Sequence, residues 1–163
     1  MEKLFLDELR EAYGAEKHQT LILPLLKKAA SSLRLQSLLA NHLHTTREHI
    51  TRLEEIFALL QVSPEARPSE GMFGIGREAE TVIETTEKGS ATRDAGLVMA
   101  VQKLKHHEIS AYGSLAQMAR TLEHDDILDL LELTLYEEKE ADDLLTAIAE
   151  NYINTEASRE YSK

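Results

Sequence analysis

Apolar residues recur along nearly the whole chain at the three- and four-residue spacing of an α-helix, and the residues that would interrupt them are few and bunched. Only three prolines and seven glycines occur, and two of the prolines and three of the glycines fall in one tract, VSPEARPSEGMFGIG. This pattern predicts an all-α fold without sheet. A first long helix is expected from about Glu2 to Ala30, broken by Ser31 and Ser32 from a second that spans about Leu35 to Leu60. Pro24 lies inside the first, where it removes the hydrogen bond to the Thr20 carbonyl and should kink the helix without ending it. The Pro/Gly tract reads as a crossover, followed by a shorter amphipathic helix over about Ile75 to Glu87. The turn signal KGSATRD then leads into a third long helix, about Ala91 to Thr121. Asp125 is the expected cap of a fourth, which runs to about Asn154.

Short connections make consecutive helices antiparallel neighbours, so two hairpins joined by one long crossover are expected. That is the ferritin-like arrangement of a four-helix bundle, here with a short extra helix in the crossover. Residues 1–154 form its single domain, and the polar tail 155–163 should fray unless a partner subunit holds it.

The 42% hydrophobic and 29% charged content is that of a globular chain with a real core. Eighteen Lys and Arg against 29 Asp and Glu give a net charge of −11, which repels nucleic acid and anionic membranes and attracts cations. The absence of Cys removes disulfides, thiolate metal sites and cysteine nucleophiles together. MEKLFLDELREAY carries acids throughout and has no apolar signal-peptide core, and no later stretch is apolar enough to span a bilayer, so a cytoplasmic protein is expected.

Four polar residues sit where apolar ones belong. Glu16 shares its stripe with Leu9, Ala12 and Leu23, and Glu108 with Val101, Leu104, Tyr112 and Leu115. Glu138 shares its stripe with Leu131, Leu135, Ala141 and Leu145, and His49 with Leu53, Ile56 and Leu60. Isolated buried carboxylates are costly, so these must share a proton, pair with a cation or bind a metal. Glu16 lies about 15 residues before the first hairpin turn and His49 about 17 after it, a height difference of about 3 Å at ~1.5 Å per residue. Glu108 and Glu138 are likewise nearly equidistant from the second turn.

Oxygen and imidazole donors clustered inside a bundle suit iron, manganese or zinc, one or two per chain. No Glu-x-x-His occurs, because the residues three before the seven histidines are Ala15, Leu39, Asn41, Thr46, Lys103, Leu104 and Thr121. The fourth helix offers Glu138 and Asp142 on one face, while the second offers His49 with only Thr45 or Thr46 a turn before it. The candidate ligands are therefore Glu16, His49, Glu108, Glu138 and Asp142. His42 either extends this set or cross-links the core; His18, His44 and His124 read as surface residues, and His106 and His107 cannot both face inward. Tyr112 reads as core, Met72 and Phe73 as cover for the bundle or a dimer seam, and EEKEADD as an acidic face with Glu138 and one of Asp142 or Asp143 turned in.

The stretches LFLDELREAYGAEKH, HLHTTREHITRLEEIF, QKLKHHEISAYGSL and LLELTLYEEKEADDLL resemble the YciE/YciF-like family of bacterial ferritin-like proteins associated with stress responses. The resemblance covers nearly the whole chain. It implies a dimeric ferritin-like bundle with a dinuclear metal centre, and Glu16, His49, Glu108, Glu138 and Asp142 as its site residues. Two positions depart from the family pattern: Lys105 stands where an inward glutamate is expected, and Thr45 where an acid or amide is common. The Lys105 ammonium, one turn from Glu108, would then neutralise the carboxylates in place of one metal. The functional expectation is a cytoplasmic, homodimeric metal-binding protein of stress physiology. The alternative is a non-catalytic, metal-free helical dimer that acts through a protein partner.

Overall fold

Serines set the starts of three helices. Ser32 accepts from the Leu35 amide at 3.4 Å, Ser69 from the Met72 amide at 3.5 Å and Ser90 from the Arg93 amide at 3.0 Å. In the computed structural model, which describes residues 1–160, the elements are α1 (Glu2–Ala29), α2 (Leu33–Leu59), α3 (Glu70–Thr85), α4 (Ala91–Thr121) and α5 (Asp125–Ile148). A π-helical turn (Ala149–Ile153) then leads into α6 (Asn154–Glu160). No strand occurs among the described residues, and no helix there is long and apolar enough to cross a membrane.

α1 packs on α2 and α4 on α5 as two hairpins, and the pairs α1/α4 and α2/α5 close the bundle. Two apolar clusters fill its ends. One joins Phe5 and Leu9 of α1 to Ile56 and Phe57 of α2, Leu115 of α4 and Leu131 of α5. The other joins Leu23 and Leu26 to Leu35, Leu39, Val101 and Leu145. The end of α2 thus lies with the end of α4, so the connection between them must travel the length of the bundle. α3 makes that passage, lying against α4 and α1.

α3 begins at Glu70, ahead of the Ile75 start expected from the sequence, because Ser69 caps it and its glycines allow close packing. A Cβ on Gly76 would stand 2.4 Å from Ile22 Cδ1 of α1. Gly14 of α1 is needed for the same passage: the Arg67 amide bonds the Arg10 carbonyl at 2.9 Å, and a Cβ on Gly14 would lie 1.8 Å from the Arg67 carbonyl oxygen. Met72 is fully buried with Ala15 and Leu104, and Phe73 rests on the His18 ring at 4.1 Å.

Two neighbouring side chains of α4 fasten the turns around it. Asp94 accepts from the Ser31 and Ser32 amides, each at 2.8 Å, and Arg93 donates to the Ile83 carbonyl at 2.8 Å. Pro24 leaves α1 continuous, as expected. Asp125 is not the cap of α5; His124 holds that position without a side-chain bond, and Asp125 and Asp126 lie in the first turn, where the helix dipole favours their charge. The tail also departs from expectation. Residues 154–160 are helical, and Glu160 accepts from the Ala91 amide at 2.6 Å and the Thr92 amide at 2.9 Å, satisfying free N–H groups at the start of α4. Positions 161–163 of the expected frayed tail lie outside the described residues.

Candidate metal centre

Between the two apolar ends lies a polar layer to which each long helix contributes at one height. Glu16 of α1, His49 of α2, Glu108 of α4 and Glu138 of α5 are all buried, none more than 2% exposed. His49 Nδ1 lies 3.1 Å from Glu16 Oε1 and 3.3 Å from Glu138 Oε1. Tyr112 donates to Glu16 Oε1 at 2.6 Å, and Gln19 donates to Glu108 and, at 3.4 Å, to Glu16 Oε2. The fully buried Lys105 donates to Glu138 Oε2 and stands 2.7 Å from Glu108 Oε2, off the axis of a hydrogen bond.

Burial and mutual repulsion set the charges. Burial pushes the Glu16 carboxyl above the ordinary carboxylate range, and it pushes Glu138 well above; the Glu108 charge adds to both. Burial acts on Glu108 in the same direction, but the Lys105 ammonium outweighs it and holds Glu108 below. Burial would likewise lower Lys105, yet Glu108 and Glu138 raise it, so the ammonium stays charged. Burial, reinforced by Glu16, lifts Tyr112 well above its ordinary value and keeps it a phenol donor.

His49 is oriented from behind. Its Nε2 lies 2.9 Å from Glu137 Oε2, and Arg52 donates to the same carboxylate at 2.9 and 3.3 Å. Burial tends to raise Glu137, but Arg52 and His49 hold it below the ordinary range, so it accepts and Nε2 carries the proton. With Nε2 turned to Glu137, Nδ1 faces Glu16 and Glu138; burial would lower the His49 pKa, but Glu16, Glu108 and Glu137 raise it above its ordinary value. A carboxylate behind an imidazole is a common support for a metal ligand.

The donors fit a metal in two groups, Glu16–His49–Glu138 and His42–Glu108–Glu138, within each of which one atom per residue lies within 4.8 Å of the others. His42 is 5% exposed, neither ring nitrogen has a hydrogen-bond partner, and burial drives its pKa well below the ordinary value. A buried neutral imidazole with free nitrogens is the state a metal requires. A metal held here would supply Lewis acidity or electron transfer.

Four of the five expected ligands meet. Asp142 does not: it sits at the edge of the stripe, where its carboxylate pairs with His106 Nε2 at 3.3 Å on the outside of α4. The buried line of α5 runs through Leu131, Thr134, Glu138 and Leu145 and passes Asp142 by. Thr46 takes the place one turn before His49, buried and without a partner. His44 is exposed as expected, whereas His18 is half-buried against Phe73 and His124 half-buried near Phe5. Gln19, Glu137 and Arg52 escaped sequence reasoning. For Gln19 the signal was present, three residues after Glu16 on the same face. A cleft of about 330 Å³ between α1 and α4, lined by Glu8, Glu11, Ser69 and His107, reaches Glu108 and Tyr112 at its floor.

A family model described as a domain of unknown function (DUF892) matches residues 1–158. Protein YciF of Escherichia coli (strain K12) is 37% identical over 158 residues, covering 96% of this chain and 95% of that protein. The crystal structure described as the E. coli stress protein YciF superposes with a TM-score of 0.89 at 37% identity, covering 94% of this chain and 96% of that one. YcfI from Rhodopseudomonas palustris gives 0.86 at 37% identity, covering 90% and 92%. A protein from Xanthomonas campestris pv. campestris gives 0.75 at 19% identity, covering 98% and 97%, and shows the fold alone. The resemblance read from the four helix motifs is borne out, and the chain belongs to the DUF892 family.

Proposed function

We propose that this chain is a ferritin-like metal-binding protein of the bacterial stress response, cytoplasmic and homodimeric, whose polar layer holds iron or another transition metal such as manganese or zinc. One observation carries the reading: Glu16, His49 and Glu138 from three different helices offer donor atoms within 4.8 Å of one another in a buried layer. Supporting it are the unpartnered ring nitrogens of buried His42 and the description of the E. coli relative as a stress protein. If the metal is redox active, oxidation of ferrous iron by oxygen or peroxide is the chemistry its carboxylate-rich donor set favours. The chain's own residues bind and orient: Tyr112 and Gln19 fix the carboxylate planes, and Glu137 with Arg52 fixes His49.

The alternative is a metal-free helical dimer acting as an interaction module, favoured by the contacts that Lys105 and Gln19 already make with Glu108. Thermal melting separates the two. A metal that binds the folded chain at 100 times its Kd adds about 2.7 kcal/mol. Chelation should therefore lower the melting temperature, and Glu16→Ala should abolish the response. Identical melting with and without chelator, with no metal in protein grown in iron or manganese, favours the module.

A further inference from the structure

The two candidate donor groups share Glu138, and they are not equivalent. Glu138 turns Oε1 toward His49 Nδ1 and Oε2 toward Lys105. In the group of Glu16, His49 and Glu138 the remaining donors meet only Tyr112, Gln19 and Glu137. In the group of His42, Glu108 and Glu138 both carboxylates are already in contact with the Lys105 ammonium. A cation bound to those oxygens would touch that ammonium with no water between them, and like charges in a buried layer repel strongly.

We propose that the Lys105 ammonium stands in the place of a second cation, so that the centre takes one divalent transition-metal ion, held by Glu16, His49 and Glu138. This rests on the metal-binding reading above and specifies its nuclearity. Charge supports the count. With its donors deprotonated, as metal binding requires, the layer of Glu16, Glu108, Glu138, Lys105 and a neutral His49 sums to −2, the charge that one divalent ion cancels. An acid at position 105 would raise the sum to −4 and call for two such ions. His42 is then left as an imidazole whose metal position is filled, which accounts for a buried ring with two free nitrogens.

The test loads the metal-free chain with cobalt(II) alone and counts bound ions by native mass spectrometry. The wild type should bind one ion per chain, and Lys105→Glu or Lys105→Gln should bind two. The second ion should couple magnetically to the first, which distinguishes it from cobalt on the acidic surface. Either variant serves if one fails to keep its helical content. Two coupled ions in the wild type, or a single ion in a folded variant, would overturn the assignment while leaving the metal-binding reading intact. No bound ion in the wild type would sink both.

Discussion

Glu137 accepts the Nε2 proton of His49 at 2.9 Å, and in doing so decides which nitrogen of that imidazole faces the carboxylates of the polar layer. The pair joins α5 to α2 away from the candidate metal position, with Arg52 holding the carboxylate charged. Orientation and basicity of His49 therefore depend in part on a residue outside the two donor groups.

Removing that support should weaken the site without emptying it. Glu137→Ala is expected to reduce cobalt(II) affinity about 10–100-fold, the usual cost of losing such a partner, with stoichiometry unchanged. Titration followed by the visible bands of the bound ion measures it. An unchanged affinity would mean that packing alone orients His49.

Lys105 is buried against Glu108 and Glu138, so its loss leaves carboxylates without their counter-charge. Lys105→Met should destabilise the metal-free chain by about 3–5 kcal/mol, the range for breaking a buried ion pair from one side. Urea unfolding gives the number. Added divalent cation should restore part of the loss in this variant, because it now supplies the missing charge.

Two glycines in long helices should respond in opposite directions. Gly14→Ala drives a Cβ into the Arg67 carbonyl and should cost about 1–3 kcal/mol, as overpacking does, with loosening of the crossover. Gly113 of α4 has nothing within 4 Å of its Cβ position, so Gly113→Ala should gain about 0.5–1 kcal/mol from helix propensity. Thermal melts of the two variants should bracket the wild type.

Glu160 titrates below its ordinary value because the Thr92 hydroxyl and the Ala91 and Thr92 amides donate to its charged form. A carboxyl with a depressed folded pKa contributes stability above the unfolded value of 4.5 and loses it as the pH falls through the folded one. At pH 7, Glu160→Gln should speed hydrogen exchange at the Ala91 and Thr92 amides. Below the folded pKa, wild type and variant should exchange alike. Equal exchange at neutral pH would show that α6 is not held by this contact.

Much of this was legible in the spacing of residues. Apolar stripes located the four long helices, and the counts from each hairpin turn put Glu16 level with His49 and Glu108 level with Glu138. The stripe around Glu138 was too coarse to exclude Asp142, since a spacing of four leaves a residue at the edge of a helical face as easily as within it. The early start of α3 was hidden because glycines that normally break helices serve here as contact points with α1. Glu137 and Arg52 carried no mark at all, lying outside every apolar stripe and finding each other across 85 residues of chain.

The sequence by itself determined the helices, their order, the level of the polar layer and the presence of a lysine among its acids, because each of these follows from periodicity and chain length. Only the tertiary structure decided which oxygen faces which nitrogen: that Lys105 rests on Glu108 and Glu138, that His42 keeps both ring nitrogens free and that Glu137 fixes His49. Those relationships join separate helices over a few ångströms, and the rotation of one helix against the next is set by packing that no single helix encodes.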